Sequence, residues 1–238
     1  MPHPRPRFTF YGHATIGCEL SDGRTLMFDP WLEGNPACPD ELKEGPDRLD
    51  VMLITHGHFD HIGDVLRLAR KHEPTIVATI EVCVWLESQG IKNCSGMNIG
   101  GSQKVAGVRV TQVQAVHSAG IMVDGQLIDG GVATGFVVRL PEGFTFYVAG
   151  DTALFSDMQL IAELYRPEVA FLPIGDHFTM DPHQAARACR YLGVRQVVPV
   201  HWGTFPLLTG TPEMLERELS TLGVNCTVKR LEPGETWG

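Results

Sequence analysis

No apolar run in this sequence of 238 residues approaches the roughly 20 needed for a helix to span a bilayer. No membrane partner is therefore expected. The N-terminal MPHPRPR has charge and proline without the apolar core of a secretory signal, and reads as a loose tail. Basic clusters are missing too. Lys and Arg total 19 against 28 Asp and Glu, for a net charge of −9. That disfavours nucleic acid and anionic membranes as partners, since both draw on dense positive charge. A small anionic substrate stays open, because a bound metal supplies positive charge locally. The six cysteines, Cys18, Cys38, Cys83, Cys94, Cys189 and Cys226, form no CxxC pair and no disulfide-like density. They read as small buried or half-buried thiols, and a reducing cytoplasm is the expected location.

What is present is enough for a full core. The chain is 43% hydrophobic and 20% charged, the balance of a globular fold built as one large domain or two fused halves. Its densest chemistry is the stretch Ile54–Asp64, ITHGHFDHIGD. His56, His58, Asp60 and His61 fall within six positions, directly after the apolar run Val51–Ile54. That run reads as a buried strand, and the segment DVLRLARKH beyond Ile62 reads as a helix packed on a sheet. The cluster thus sits on a strand-to-helix loop, where α/β folds place functional groups. A lone histidine there would be an ordinary surface residue. Four His and Asp side chains in an HxHxDH array are the donor set of a divalent metal.

The rest of the chain repeats this positional theme. Short strands are expected at 8–11, 14–20 and 25–29, with a turn at 21–24. The loop 30–46 is rich in Pro, Gly and acids but holds Trp31 and Leu32, so it either covers a site or is a surface excursion. A strand at 75–78 and a helix at 81–89 follow. The alternating run 108–116 ends on His117, and the glycine-rich 118–131 reads as a loop. A hairpin at 133–140 and 144–149 runs into Gly150-Asp151. Helices are expected at 154–165, 182–192 and 212–222, with strands at 169–174, 196–200 and near 226–229. The strand 196–200 runs into His201. Each half, about 1–130 and 131–238, opens on hairpins and continues with βα units. The expected fold is therefore α/β, a four-layer αββα sandwich of two face-to-face sheets with helices outside.

His56, His58, Asp60, His61, His117, Asp151 and His201 all lie just past strand ends. Seven ligand-type residues exceed the three that a catalytic zinc commonly takes; two ions sharing a carboxylate would use them all. This array resembles the metallo-β-lactamase superfamily, whose HxHxDH motif and later His, Asp and His ligands match residue by residue. The resemblance covers essentially the whole chain, as a single domain 1–238. It implies that His56, His58 and His117 hold one metal, that Asp60, His61 and His201 hold a second, and that Asp151 bridges them. FDPWLEGNP (28–36), AGDTALFSDM (149–158), LPIGDHFTMDP (172–182) and VPVHWGTFP (198–206) are similar to the UPF0173 metal-dependent hydrolases, a group near the ascorbate-6-phosphate lactonase branch. The resemblance further implies a homo-oligomer.

The implied activity is hydrolysis of a small ester, lactone or phosphodiester by a hydroxide held between two cations, with Asp60 orienting that nucleophile. Zinc suits the histidines best, while manganese, iron and nickel remain open. Two rivals stand beside it, a mononuclear iron dioxygenase of thiols or persulfides and a non-catalytic metal-binding protein. Asp29 is read either as acceptor of a ligating histidine's free N–H or as a turn residue before Pro30. His177, beside Asp176, either protonates a leaving group or is a simple loop histidine. His13 either lines the rim or makes a structural hydrogen bond. Thr204 and Phe205 are candidates for the pocket wall. His3, His72 and His183 are expected at the surface.

Overall fold

A computed structural model of the chain describes residues 5–238. His3 and most of the proline-rich tail fall outside that range. Strands β1 (Arg7–Phe10), β2 (Ile16–Glu19) and β3 (Thr25–Phe28) form an antiparallel meander, which β4 (Val51–Leu53), β5 (Thr75–Thr79) and β6 (Cys94–Met97) extend in parallel. The second sheet starts at β7 (Ser102–Val105) and β8 (Val108–Gln114). A detached hairpin, β9 (Ile121–Val123) and β10 (Gln126–Ile128), precedes β11 (Thr134–Arg139) and β12 (Thr145–Val148). Parallel strands β13 (Val169–Pro173), β14 (Gln196–Val200) and β15 (Thr227–Val228) complete that sheet. The last strand, β16 (Thr236–Trp237), crosses back to pair with β1, so each main sheet has seven strands.

The sheets face each other over an aromatic core. Phe8, Phe28, Phe136, Phe146 and Phe171 are all buried there, with the Phe8 and Phe146 rings 5.0 Å apart at 80°. An edge-to-face contact of this kind adds to the roughly 1.5–3 kcal/mol from burying each ring. On the outer face of the first sheet lie α1 (Phe59–Ile62), α2 (Val65–His72) and α3 (Ile80–Ser88). Against the second sheet pack α4 (Met158–Tyr165), α5 (Pro182–Leu192) and α6 (Pro212–Leu222). The four layers are those expected from the sequence. Among the described residues no helix is long and apolar enough to cross a membrane.

Local chemistry sets the boundaries. Asp181 accepts from the Gln184 amide, Pro182 opens α5, and left-handed Gly193 closes it. Thr211, Pro212 and Gly223 do the same for α6. Strands β13 and β14 lack alternation because helices and the opposite sheet bury both faces.

Three expectations are corrected. The helix foreseen from Leu154 begins at Met158, because Ser156 and Asp157 make the turn before it. The supposed loop 118–131 contains the β9–β10 hairpin, whose Asp124-Gly125 turn has both residues at positive φ. Strands β6 and β7 escaped notice because most of their residues are half-buried or exposed and they lack an apolar alternation.

Candidate metal centre

Strand β4 is three buried apolar residues paired in parallel on both sides. At its end the chain leaves the sheet through Thr55, His56 and Gly57. His58, in extended conformation, immediately precedes α1, whose short turn carries Asp60 and His61. His117 follows β8, Asp151 follows β12, and His201 follows β14 at φ 54°. Gly150 places Asp151. It has φ 63°, and a Cβ there would stand 2.7 Å from Thr55 Cβ and 2.8 Å from the Thr134 carbonyl oxygen. Only glycine fits that backbone.

The loops bring the chemistry together in two groups, the second buried throughout and the first half-buried at His58 and His117. One holds His56, His58, His117 and Asp151; the other holds His13, Asp60, His61 and His201. Within each, the ligand-type atoms lie within 4.8 Å of one another. Asp151 Oδ2 is the common point. The Nε2 atoms of His201, His61, His117 and His56 approach it at 3.1, 3.3, 3.6 and 3.9 Å. Asp60 Oδ2 lies 3.6 Å from His201 Nε2 and 3.8 Å from His61 Nε2.

Hydrogen bonds behind the rings decide which nitrogens face this point. A carboxylate only accepts, so His61 Nδ1 donates to Asp29 Oδ2 at 2.9 Å, which leaves the Nε2 lone pair of the neutral ring for the cluster. Thr55 Oγ1 spends its proton on the same Asp29 oxygen at 2.7 Å. It must therefore accept from His56 Nδ1 at 3.0 Å, and His56 Nε2 likewise turns its lone pair inward. The Thr55 amide donates to Asp29 Oδ1 at 2.7 Å and completes the anchor. His61 Nε2 and Asp151 Oδ1 are buried with no hydrogen-bond partner among the described residues, although His61 Nε2 lies 3.3 Å from Asp151 Oδ2. Close but misaligned donors and acceptors, with orphaned buried atoms, suit a divalent cation between them. The residues present fit such an ion.

Electrostatics divides the histidines. Burial holds His56 well below the ordinary imidazole range, with repulsion from His61 adding to it. Burial lowers His58 and His117 as well. Burial opposes charge on His61 and His201 too, but Asp151 outweighs it, helped by Asp29 at His61 and Asp60 at His201. His61 is raised well above its usual value and His201 rises to about 9. Burial would lift both carboxylates, yet His201 and His61 hold Asp151 well below its usual range. His13 and His201 hold Asp60 low in the same way.

His13 stands inside the second group, not on a rim. Its Nε2 donates to Asp60 Oδ2 at 2.9 Å, and its Nδ1 therefore accepts from Thr204 Oγ1 at 3.0 Å. Burial, then repulsion from His201, lowers its pKa to about 4. Asp176 and His177 are not brought to the cluster. Both sit at positive φ in a loop closed by the Asp176 amide on the Met180 carbonyl at 3.0 Å. His177 is exposed against Phe178, and Asp176 lines a separate hollow with Asp181 and His183. His183 lies on the surface, bonded to Glu218.

A cavity of about 620 Å³ opens over Asp60, Asp151, His58, His117 and His201, and its far walls are Phe59, Phe178, Phe205, Pro206 and Leu207. Trp31, on the long 30–46 loop, packs on His13, Phe59 and Phe205 with ring centroids 5.2, 5.6 and 5.9 Å away. Asp64 pins that loop by accepting from the Leu32 and Glu33 amides at 2.5 and 3.0 Å. Sequence reasoning missed Thr55, Phe59, Phe178 and Leu207. Thr55 is adjacent to the first histidine, which was the available signal; the apolar walls gave none.

The chain is similar to known proteins in both sequence and fold. A family model described as the beta-lactamase superfamily domain matches residues 24–202. A UPF0173 metal-dependent hydrolase of Koribacter versatilis is 49% identical over 97% of each chain. Another from Methanopyrus kandleri is 44% identical over 97% of this chain and 99% of its own. Among solved structures, Igni18, a metallo hydrolase of Ignicoccus hospitalis, superposes with a TM-score of 0.86 at 37% identity. It covers 98% of this chain and 97% of its own.

Proposed function

The chain belongs to the β-lactamase superfamily and, within it, to the UPF0173 metal-dependent hydrolases, and on that footing we propose that it cleaves a small ester, lactone or phosphodiester using two divalent cations. His56, His58 and His117 would hold one ion, Asp60, His61 and His201 the other, and Asp151 both. The observation that carries this reading is the approach of four histidine Nε2 atoms to the single oxygen Asp151 Oδ2. Cations bound there supply Lewis acidity and an ionised water near neutral pH.

The chain's own residues do the remaining work. Asp29 and Thr55 fix the ring orientations of His61 and His56, so the rings need not rotate when an ion arrives. His13 holds Asp60 ionised and in place, and Asp60 aligns the attacking water. The aromatic and aliphatic walls set apolar surface beside the reacting carbonyl or phosphorus. Zinc matches the imidazole-rich donor set, and manganese, iron or nickel would also be accepted.

Elemental analysis of protein purified without a metal-affinity tag tests the proposal. About two zinc or manganese ions per chain, with hydrolysis lost to a chelator and restored by the metal, is the expected result. Full activity after metal removal would defeat it. So would one iron per chain with oxygen uptake on glutathione persulfide.

A further inference from the structure

The residues that line the cavity come from five segments, at 58–60, 117–118, 151, 178 and 201–207. None of these lining residues is a Lys or an Arg. The carboxylates among them are Asp60 and Asp151, in a chain whose net charge is −9. Among the described residues, the only positive charge lining the cavity is at its floor, among the histidines and any cations bound by them. Away from that floor a ligand meets Phe59, Phe178, Phe205, Pro206 and Leu207. Three of these are large apolar side chains left open to solvent: Phe59 at 62%, Phe178 at 51% and Leu207 at 52% exposure. Exposed aromatic and aliphatic groups converging around one cavity mouth mark a binding surface rather than scattered surface residues.

From this lining we infer that the substrate is an uncharged ester or lactone with an aromatic or branched apolar group seated against Phe59, Phe178, Phe205 and Leu207, and that distal anions are rejected. The inference rests on the hydrolase reading above and narrows it, removing phosphorylated lactones and nucleotide-like phosphodiesters from the candidates. The reason is electrostatic. A phosphate or carboxylate held away from the floor would lose water against apolar walls with no guanidinium or ammonium to receive it. It would also approach a chain whose net charge is −9. An apolar group in the same place covers the open faces of the rings and gains from their burial. Hydrolysis of such an ester breaks the acyl C–O bond. The water oxygen joins the acyl carbon, one of its protons leaves on the alcohol, and the other remains with the acid or the solvent.

Two pairs of probes separate charge selection from catalysis. Calorimetry on the metal-loaded protein compares 4′-methylacetophenone with 4-acetylbenzoate, which share the ketone and differ in the distal charge. The expected result is at least tenfold tighter binding of the neutral ketone, a margin of about 1.4 kcal/mol. Leu207→Arg places a cation on an exposed part of the wall and should narrow or invert that preference. Absence of the preference overturns the inference, whether 4-acetylbenzoate binds as well or neither ligand binds. Hydrolysis of 4-acetoxytoluene against 4-acetoxybenzoate is the second arm. If neither ester is cleaved while the ketone preference holds, the hydrolytic proposal fails and the charge selection stands. If both are cleaved with equal kcat/KM and bind equally, hydrolysis stands and the charge selection falls.

Discussion

Asp29 Oδ2 and His61 Nδ1 stand 2.9 Å apart, both fully buried, and the same oxygen takes the Thr55 hydroxyl proton at 2.7 Å. One carboxylate thus sets which nitrogen faces inward, for His61 directly and for His56 through Thr55. Asp29→Ala removes that control and strands buried donors. Metal affinity should fall by roughly 10–100-fold, and stability by about 1–3 kcal/mol for the unpaired groups. Competition with a chromophoric chelator reads the first and urea denaturation of the metal-free protein the second. Unchanged affinity alongside reduced stability would reduce Asp29 to a turn residue.

His13 acts one step further out. Its Nε2 proton is committed to Asp60, and Thr204 holds the opposite face of the ring. His13→Phe keeps the ring volume but loses both bonds. One ion per chain should be retained and the other weakened about 10–100-fold, by the same outer-partner logic. Elemental analysis after dialysis would then give close to one metal instead of two. Two tightly held ions in His13→Phe would remove His13 from the site.

The parts of this site that were legible in the sequence are those encoded locally. His56, His58, Asp60 and His61 share one loop, and His117, Asp151 and His201 each follow a run of strand residues, so a sheet edge brought them to one place in the reading and in the fold. His13 was less legible, because its partners Asp60 and Thr204 are 47 and 191 residues away. Asp176 and His177 looked equivalent to the ligands by position after a strand. Two successive left-handed residues turn that loop outward, and strand-end counting does not register a change in φ. The pairing of β16 with β1 was hidden for a similar reason: two residues, Thr236 and Trp237, carry no periodicity.

Metal binding should release protons and strengthen with pH. In the metal-free protein Asp151 raises His61 well above its ordinary value and His201 to about 9, so both rings are charged at pH 7. An imidazolium cannot ligate, and each ring must lose its cluster-facing proton when an ion binds. Because these pKa values are raised, protons compete below them and cease to compete above them. Affinity should therefore climb as pH rises from 7, with the His201 share of that climb levelling above about 9. Titrating zinc into weakly buffered protein at pH 7 should release about two protons per chain. A pH-independent affinity with no proton release would show that His61 and His201 are neutral before the metal arrives.

Gly150 and Gly223 share a positive φ, 63° and 62°, in different surroundings. A Cβ at Gly223 meets nothing within 4 Å, whereas one at Gly150 runs into Thr55 and the Thr134 carbonyl. Gly223→Ala therefore isolates the left-handed strain, about 1–2 kcal/mol. Gly150→Ala carries that strain and the crowding, a further 1–3 kcal/mol or so. The crowding falls on Thr55, which orients His56, and on the residue preceding Asp151. Gly150→Ala should thus lose metal as well as stability, while Gly223→Ala loses stability alone. Urea midpoints and metal content of the two variants, compared side by side, decide it. Equal destabilisation with metal retained in both would mean that the turn at Gly150 does not position Asp151.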